Sequence, residues 1–515
     1  MAVQSGSAGA PGTPAWGGTP PGTDPRLQRD PRLKIVVLDD DPTGSQTLHG
    51  CPLLLRWDPA SLRRGLAHPS PLLFLLANTR ALAPAAAAER VRTICRALRP
   101  ALAEAQAAGE LDHWLVVSRG DSTLRSHFPL EVDVIAAELG PFEATLLVPA
   151  FLPGGRTTVG GEHRLHGEPV HTTAFARDRL FGYGTSYLPA WVEEKSGGRI
   201  PAAAVQRIDR AELEAAAADR AAGGEGYRRL RERLAHLQGN ACVAVDGERP
   251  QQLSVLGAVV RELTAPSAGW TGGRPRRFLF QSAASLLNGL ADLPPQPLDA
   301  AGLAALRRRD AAGQPLPGLV LVGSHVPLAD AQLETLLAEP GCGGVEIAVA
   351  TVQRLLEGPL PDRLLASLEA AWLEQLQAHL AAGRTPVLFT SRGERPSRSA
   401  AEGRALGLAL AGLMARIGAA LAPRLGYLIS KGGTTSQTLL ADGLELAALQ
   451  LEGQLLAGLS LVRPAQAGGI PGVEGLPILT FPGNLGDAGT LALAWRWMET
   501  GAAGPATGGS VSRGR

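Results

Sequence analysis

Lysine is almost missing from this chain. Of 49 basic residues in 515, only Lys34, Lys195 and Lys431 are lysines. A lysine beside a loop suited to phosphate therefore carries more information than usual. Charge of one sign is missing as well. The 49 basic and 48 acidic residues leave a formal charge of +1. That argues against an extended nucleic-acid surface, which needs a basic excess, but leaves room for a local anion pocket. Cysteine is sparse. Cys51, Cys95, Cys242 and Cys342 contain no CxxC spacing. A zinc cluster and a thioredoxin-like motif thus lack support, and four free thiols in a reducing compartment are expected. The N-terminus lacks a basic flank followed by an apolar run, so no signal peptide is expected. The most apolar stretch, 405–421, contains Arg416 and is followed by Pro423 and Arg424. It reads as a buried helix rather than a membrane span. The expectation is a cytoplasmic protein with no nucleic-acid and no membrane partner.

What is present is ample apolar material, 45% of the residues, in a length that suits about three domains or two large ones. Residues 1–30 and 501–515 are rich in small and turn-forming residues without periodicity and are expected as disordered tails. Between them, short apolar runs at 34–38, 72–76, 114–118 and 145–149 alternate with helical patterns such as 84–108 and 129–139. After a Pro/Gly-rich segment a second series begins. Its strands are expected near 319–322, 345–349, 386–390, 426–430 and 476–481, with helices near 328–338, 362–382 and 399–421. This alternation predicts an α/β fold of two domains with largely parallel sheets. The boundaries are an N-terminal domain over 31–295, a linker over 296–317 and a C-terminal domain over 318–500. The stretch 151–200 is loop-rich, and a stretch of that kind inside a domain is usually functional or an insertion.

Two motifs in the first half follow strands, where ligands of open α/β sheets bind. DDDPTGSQT at 39–47 puts three carboxylates together. They repel one another unless solvated, hydrogen-bonded or facing a cation or polar ligand. Gly44 permits a tight turn and a close ligand. SRGDSTLRSH at 118–127 offers Asp121 to orient or deprotonate a hydroxyl. Arg125 offers a planar two-pronged contact for a carboxylate, and Ser122 and Thr123 are donors to the same anion. A third segment, PGGRTTVGGEHRLHG at 153–167, suits an anion-binding loop. Its His163 and His166 lack a partner cluster for a metal and read as surface or hydrogen-bonded histidines.

The second half carries three glycine turns at strand ends. SKGGTTSQT at 430–438 places Lys431 beside Gly432 and Gly433, followed by Thr434 and Thr435. Paired glycines leave backbone N–H groups free to converge on phosphate oxygens, and a following helix N-terminus adds partial positive charge. FPGNLGD at 481–487, with Gly483, Asn484 and Gly486, and VGSHVPLADAQ at 322–332, with Gly323 and Ser324, are similar transitions. None is a Walker loop. Three such turns in one domain favour a nucleotide site.

In this order the segments resemble the four-carbon acid sugar kinase family. Asp40-Asp41-Pro42-Thr43-Gly44 matches its DDxTG turn. Asp121-Ser122-Thr123-Leu124-Arg125 matches its DSTLRG segment, with Ser126 in place of the glycine. The three later turns match its GS, GGxT and GNFG-like elements. The resemblance covers roughly 34–498. It implies an N-terminal sugar-acid domain, a C-terminal ATP domain and an active site in the cleft between them. The cofactors implied are ATP and Mg²⁺, with the metal ligands unassigned. Asp40 or Asp121 would accept the hydroxyl proton, with Asp41, Thr43, Gly44, Ser122, Thr123 and Arg125 around the acid. Ser324, Lys431, Gly432, Gly433, Thr434, Thr435, Gly483, Asn484 and Gly486 would hold the nucleotide. The substrate would be threonate, erythronate, 3-oxo-tetronate or a related acid, and a homo-oligomer stays open.

Two readings of other classes compete. Asp39, Asp41 and Thr43 also reproduce the DxDxT that opens haloacid-dehalogenase-like phosphatases, with Asp39 as nucleophile. No later acidic pair for magnesium accompanies it, and Asp39 lies outside the matched DDxTG. A non-catalytic metabolite- or nucleotide-binding regulator is the third reading, disfavoured by how many motif residues persist.

Overall fold

Leu33, Ile35 and Val37 of the first strand, Leu33–Asp39, bury into one core layer, and Val36 and Leu38 bury into another. A strand apolar on both faces needs cover on both, which is how helices flank a parallel sheet. This computed structural model describes residues 32–42, 44, 47–220, 223–266, 274–358, 361–393, 400–465 and 468–502. The expected tail 1–30 and residues 503–515 lie outside the described residues. Eight parallel strands form the N-terminal lobe, in the order Cys51–Leu54, Leu72–Leu76, Leu33–Asp39, His113–Arg119, Phe278–Ser282, Ala144–Val148, Ala241–Val245 and Gln206–Ile208. Five more are parallel in the C-terminal lobe: Cys342–Ile347, Thr385–Thr390, Gly318–Val322, Tyr427–Lys431 and Ile478–Phe481.

Two α/β sheets were expected, and the structure joins them into one. An antiparallel hairpin, Ala448–Leu456 with Leu459–Pro464, extends the C-terminal lobe, and its outer strand pairs antiparallel with Cys51–Leu54. Fifteen strands among the described residues thus share one hydrogen-bond ladder. One core layer is shared too, running from Ile35 and Val37 to Leu319, Leu321 and Leu428.

Most expected elements fall within one or two residues of their observed bounds. The strand expected at 345–349 is shifted to Cys342–Ile347, because Val349 opens a helix, Val349–Leu356. The hairpin was not foreseen. Nor was the ordered part of the expected linker, where Ala300–Ala304 is helical with Leu303 fully buried. Proline at the first turn opens the helices Pro84–Ala107 and Pro327–Leu337, where its missing N–H breaks no bond. The apolar helix Ala400–Leu421 packs Leu413, Met414, Ile417 and Leu421 into the core. All four cysteines are free and buried. The loop-rich 151–200 stretch contains a small antiparallel sheet, Arg156–Val159, Glu162–Leu165 and Glu168–Pro169.

Candidate active site

The DDDPTG segment leaves the first strand and folds at once into a turn, with Gly44 N–H donating to Asp41 O at 2.9 Å. Pro42 suits its second position. Asp39 and Asp40 are buried, and Asp41 is partly open. Arginines from the two neighbouring strands compensate them. Arg80, just past Leu72–Leu76, donates through Nε and Nη2 to the two oxygens of Asp40, at 3.0 and 2.5 Å, and through Nη1 to Asp41 at 3.1 Å. Arg119, at the end of His113–Arg119, lies 3.5 Å from both Asp39 and Asp40. Burial pushes Asp39 up to about 7, against the pull of Arg119 and with the help of Asp40 and Asp41. Burial also raises Asp40, opposed chiefly by Arg80. Behind them Glu131 is buried, accepts from Ser118 at 3.1 Å and is pushed by burial to about 7.

Gly44 has a steric reason. A Cβ there would lie 2.1 Å from Asp39 Oδ1 and 2.6 Å from Arg119 Nη1. The backbone thus closes over Asp39, which is 1% exposed. A phosphoryl-accepting aspartate has to present an oxygen to its substrate. Asp39 does not, which removes the geometric basis of the phosphatase reading. Thr43 lies outside the described residues.

In the DSTLR turn Asp121 Oδ2 accepts from Thr123 Oγ1 and from Arg125 Nε, the latter at 2.8 Å. Burial works against its charge, but Arg80 and Arg125 outweigh burial and hold the carboxyl well below the usual range. Ser122 and Thr123 are buried, and Leu124 is driven to φ 65° with its side chain in the core. The 151–200 stretch wraps this turn. His163, fully buried, bonds Ser122 O at 2.8 Å, and its other ring nitrogen bonds Thr158 Oγ1 at 2.9 Å. Both nitrogens are used within the protein, and burial lowers its pKa to about 4, so it stands as a neutral strut. Tyr183 donates to Thr123 O at 2.7 Å, and Phe175 stacks on the Arg125 guanidinium at 4.8 Å.

The three C-terminal turns come together. Gly323 and Ser324 donate to Lys431 O at 3.1 and 3.2 Å, and Gly432 donates to Phe481 O at 2.9 Å. Side chains would not fit between them. A Cβ on Gly323 would meet Thr435 Oγ1 at 2.0 Å, and one on Gly483 would meet Ser324 Oγ at 2.7 Å. Gly432 holds φ at 120°, a value glycine reaches without strain. Thr434, Asn484 and Gly486 are exposed on the rim. Lys431 points away from it. Its fully buried Nζ donates to Pro482 O at 3.1 Å and Gly483 O at 3.2 Å and lies over the Phe481 ring. Burial lowers its pKa to about 7. Lys431 thus ties the third turn to the second.

The two halves meet at Asp41 and Gly433. A Cβ placed on Gly433 would lie 3.4 Å from Asp41 Oδ2. Several residues that build this arrangement gave no signal in the sequence. Arg80 and Arg119 are single arginines at strand ends. Gln332 holds the third turn through Leu485 O and Asp487 O at 2.9 and 2.6 Å. Arg392 holds Ser324 O at 2.8 Å. For the three arginines, a position at or just past the carboxyl end of a strand was the one available clue; Gln332 lies inside the helix Pro327–Leu337.

This geometry defines a two-lobed α/β protein with a polar acid-and-arginine loop on one lobe and a glycine cradle on the other. Residues 35–290 match a sugar-binding N-terminal domain and residues 319–491 a nucleotide-binding C-terminal domain. D-threonate kinase of Cupriavidus necator is 28% identical over 391 residues, 73% of this chain and 78% of its own length. D-erythronate kinase of Heliobacterium modesticaldum is 32% identical over 158 residues, so the match spans 30% of this chain and 33% of that relative. Haemophilus influenzae protein HI1011 shares the fold, with a TM-score of 0.54 and 15% identity over 90% of this chain and 100% of its own. The chain belongs to the family that joins these two domains, the architecture of the four-carbon acid sugar kinases.

Proposed function

We propose that this chain is an ATP-dependent kinase that phosphorylates a hydroxyl of a small sugar acid of the threonate, erythronate or 3-oxo-tetronate class. The observation that carries the reading is the approach of Asp41 to Gly433, which sets the acidic loop of one lobe against the glycine cradle of the other. Phosphoryl transfer asks a protein for positioning and charge neutralisation more than for covalent chemistry.

The turns suit a phosphate on their outer side, because Gly323, Gly432 and Gly483 let three backbones pack closely and bring the hydroxyls of Ser324 and Thr435 together there. Gly433 and Thr434, with the hydroxyls of Ser324 and Thr435, hold the nucleotide phosphates, while Gly432, whose N–H is spent on Phe481 O, shapes the turn; Gly483, Asn484 and Gly486 form the far rim. Asp41, facing the cradle, is the carboxylate that would hold Mg²⁺, and the metal would neutralise charge on the transferred group. The acid lies over the DSTLR turn. Asp121 has one oxygen engaged by Thr123 and Arg125, while Oδ1 has no protein donor among the described residues. That oxygen orients the acceptor hydroxyl and receives its proton as the oxygen–phosphorus bond forms and ADP leaves. Asp40 serves by clamping Arg80 rather than by touching the hydroxyl, since Arg80 occupies both of its oxygens.

The test is a panel of four-carbon sugar acids with ATP and Mg²⁺, read as ADP release with a phosphorylated acid as the stoichiometric product. ADP release that is the same with and without every acid would sink the reading.

A further inference from the structure

We propose that Arg156, rather than Arg125, is the guanidinium that receives the carboxylate of the substrate. The proposal rests on the kinase reading above and deepens it.

An anion site needs a cation whose charge is not already spent. Three of the arginines around the acidic loop have carboxylate partners: Arg80 with Asp40 and Asp41, Arg119 with Asp39 and Asp40, and Arg125 with Asp121. Arg125 is further confined by Asp178 at 3.9 Å and by the Phe175 ring over its face. Its geometry is that of a group that fixes Asp121. Arg156 differs. It stands close enough to Asp121 and Arg125 to feel both charges, yet among the described residues no carboxylate pairs with it. Its one protein bond there is Nη1 to Gly154 O, at 2.5 Å, and its buried Nε has none. A half-buried guanidinium without a counter-ion is costly, and a bound carboxylate removes that cost. Burial lowers the pKa of Arg156, with Asp121 opposing the shift and Arg125 adding to it.

The surroundings of Arg156 are shaped for it. A Cβ on Gly154 would lie 2.3 Å from Arg156 Nη1 and 2.5 Å from the Phe151 ring, so the glycine is what lets the guanidinium lie back over that ring. Phe151 reaches the other lobe. A Cβ on Gly458 would be 3.9 Å from Phe151 Cζ and 3.0 Å from Leu485 of the third glycine turn. Arg156 therefore stands beside the DSTLR turn on a wall that touches the nucleotide half. A small acid with its carboxylate here can offer a distal hydroxyl to Asp121 and the cradle.

The experiment compares steady-state kinetics of the full chain with a four-carbon acid such as threonate and with threitol, its neutral polyol. Arg156→Gln should raise KM for the acid at least thirtyfold and leave KM for ATP within twofold. It should also cut the preference for acid over polyol by a factor like that of the KM change. A structural role alone would not move that preference. Arg156→Lys, which keeps the charge and the packing of the stem, should show a smaller rise and preserve part of the preference. A fall in kcat with acid KM and preference unchanged would place Arg156 on the transferring phosphoryl group and overturn the assignment. So would variants indistinguishable from the parent. If the parent protein turns over no acid at all, the kinase reading fails first and this assignment falls with it.

Discussion

Gly433 and Asp41 sit face to face across the two lobes, so that a methyl group on the glycine would already touch the carboxylate. A Cβ on the glycine is an ordinary contact at 3.4 Å from Asp41 Oδ2, whereas two further methyl groups would invade the space that a phosphate needs. The two motifs that a reader of the sequence treats separately are therefore neighbours in space.

Gly433→Val follows from this directly. The residue opens the short helix Gly433–Thr438 and has no positive φ, so the fold should largely survive. ATP affinity should fall at least tenfold, or about 1.4 kcal/mol, while acid binding stays nearly intact. Melting and ATP titration on the same preparation check this. A destabilised variant with normal ATP affinity would make the turn merely structural.

Gly44→Ala should be far worse than an ordinary turn substitution. Its Cβ would collide with Asp39 and Arg119, both buried and paired. Overpacking of this kind costs about 1–3 kcal/mol. Chemical denaturation should show that loss, and turnover should fall with it because Asp41 is carried on the same turn.

Arg80 is the hub of the acidic loop. Arg80→Met leaves buried Asp40 with only the longer 3.5 Å contact to Arg119 among the described residues, and breaking a buried pair typically costs about 3–5 kcal/mol. Arg80→Lys retains a charge but cannot reach both oxygens of Asp40 and also Asp41. Its loss should be smaller, about 1.5–3 kcal/mol. Denaturation of the two variants beside the parent tests the order. Equal stability of all three would mean that the pairs contribute nothing net.

Asp39 makes stability depend on pH. Its folded-state pKa, about 7, lies above the ordinary 3.8. Between those values the folded protein holds a proton that the unfolded chain has released. Stability relative to Asp39→Asn should therefore fall as pH rises from about 4 to about 7 and be level above that. Parallel denaturation curves across this range give the difference, and a difference that rises with pH would contradict the assignment.

Legibility in the sequence followed physical contrast. Strands such as Leu72–Leu76 could be read because they are apolar on both faces. The glycine turns could be read because closely packed backbones admit no other residue. Arg80 and Arg392 could not, since arginine is so common in this chain that one more gives no contrast, whereas Arg156 lay inside the segment 153–167 that reads as an anion-binding loop, and Arg119 inside the motif at 118–127, without a role of their own. Lys431 stood out by rarity, and it does lie beside the glycine turns, but rarity cannot say that its ammonium faces two carbonyls. The hairpin was missed although Leu449, Leu451 and Leu455 alternate with Gln450, Glu452 and Gln454. Gly453 and the register shifts around it weaken that period-two pattern.

The pairing of Cys51–Leu54 with Ala448–Leu456 makes each half of the chain the completion of the other. Separated near residue 310, each half would carry a bare edge of unpaired backbone groups, and a bare edge seeks a strand. The fitting strand is the one on the opposite half, whether from the same molecule or a neighbour. Two fragments mixed in solution are thus shaped to reassemble, and an intact chain opened at this seam could exchange halves with its neighbour.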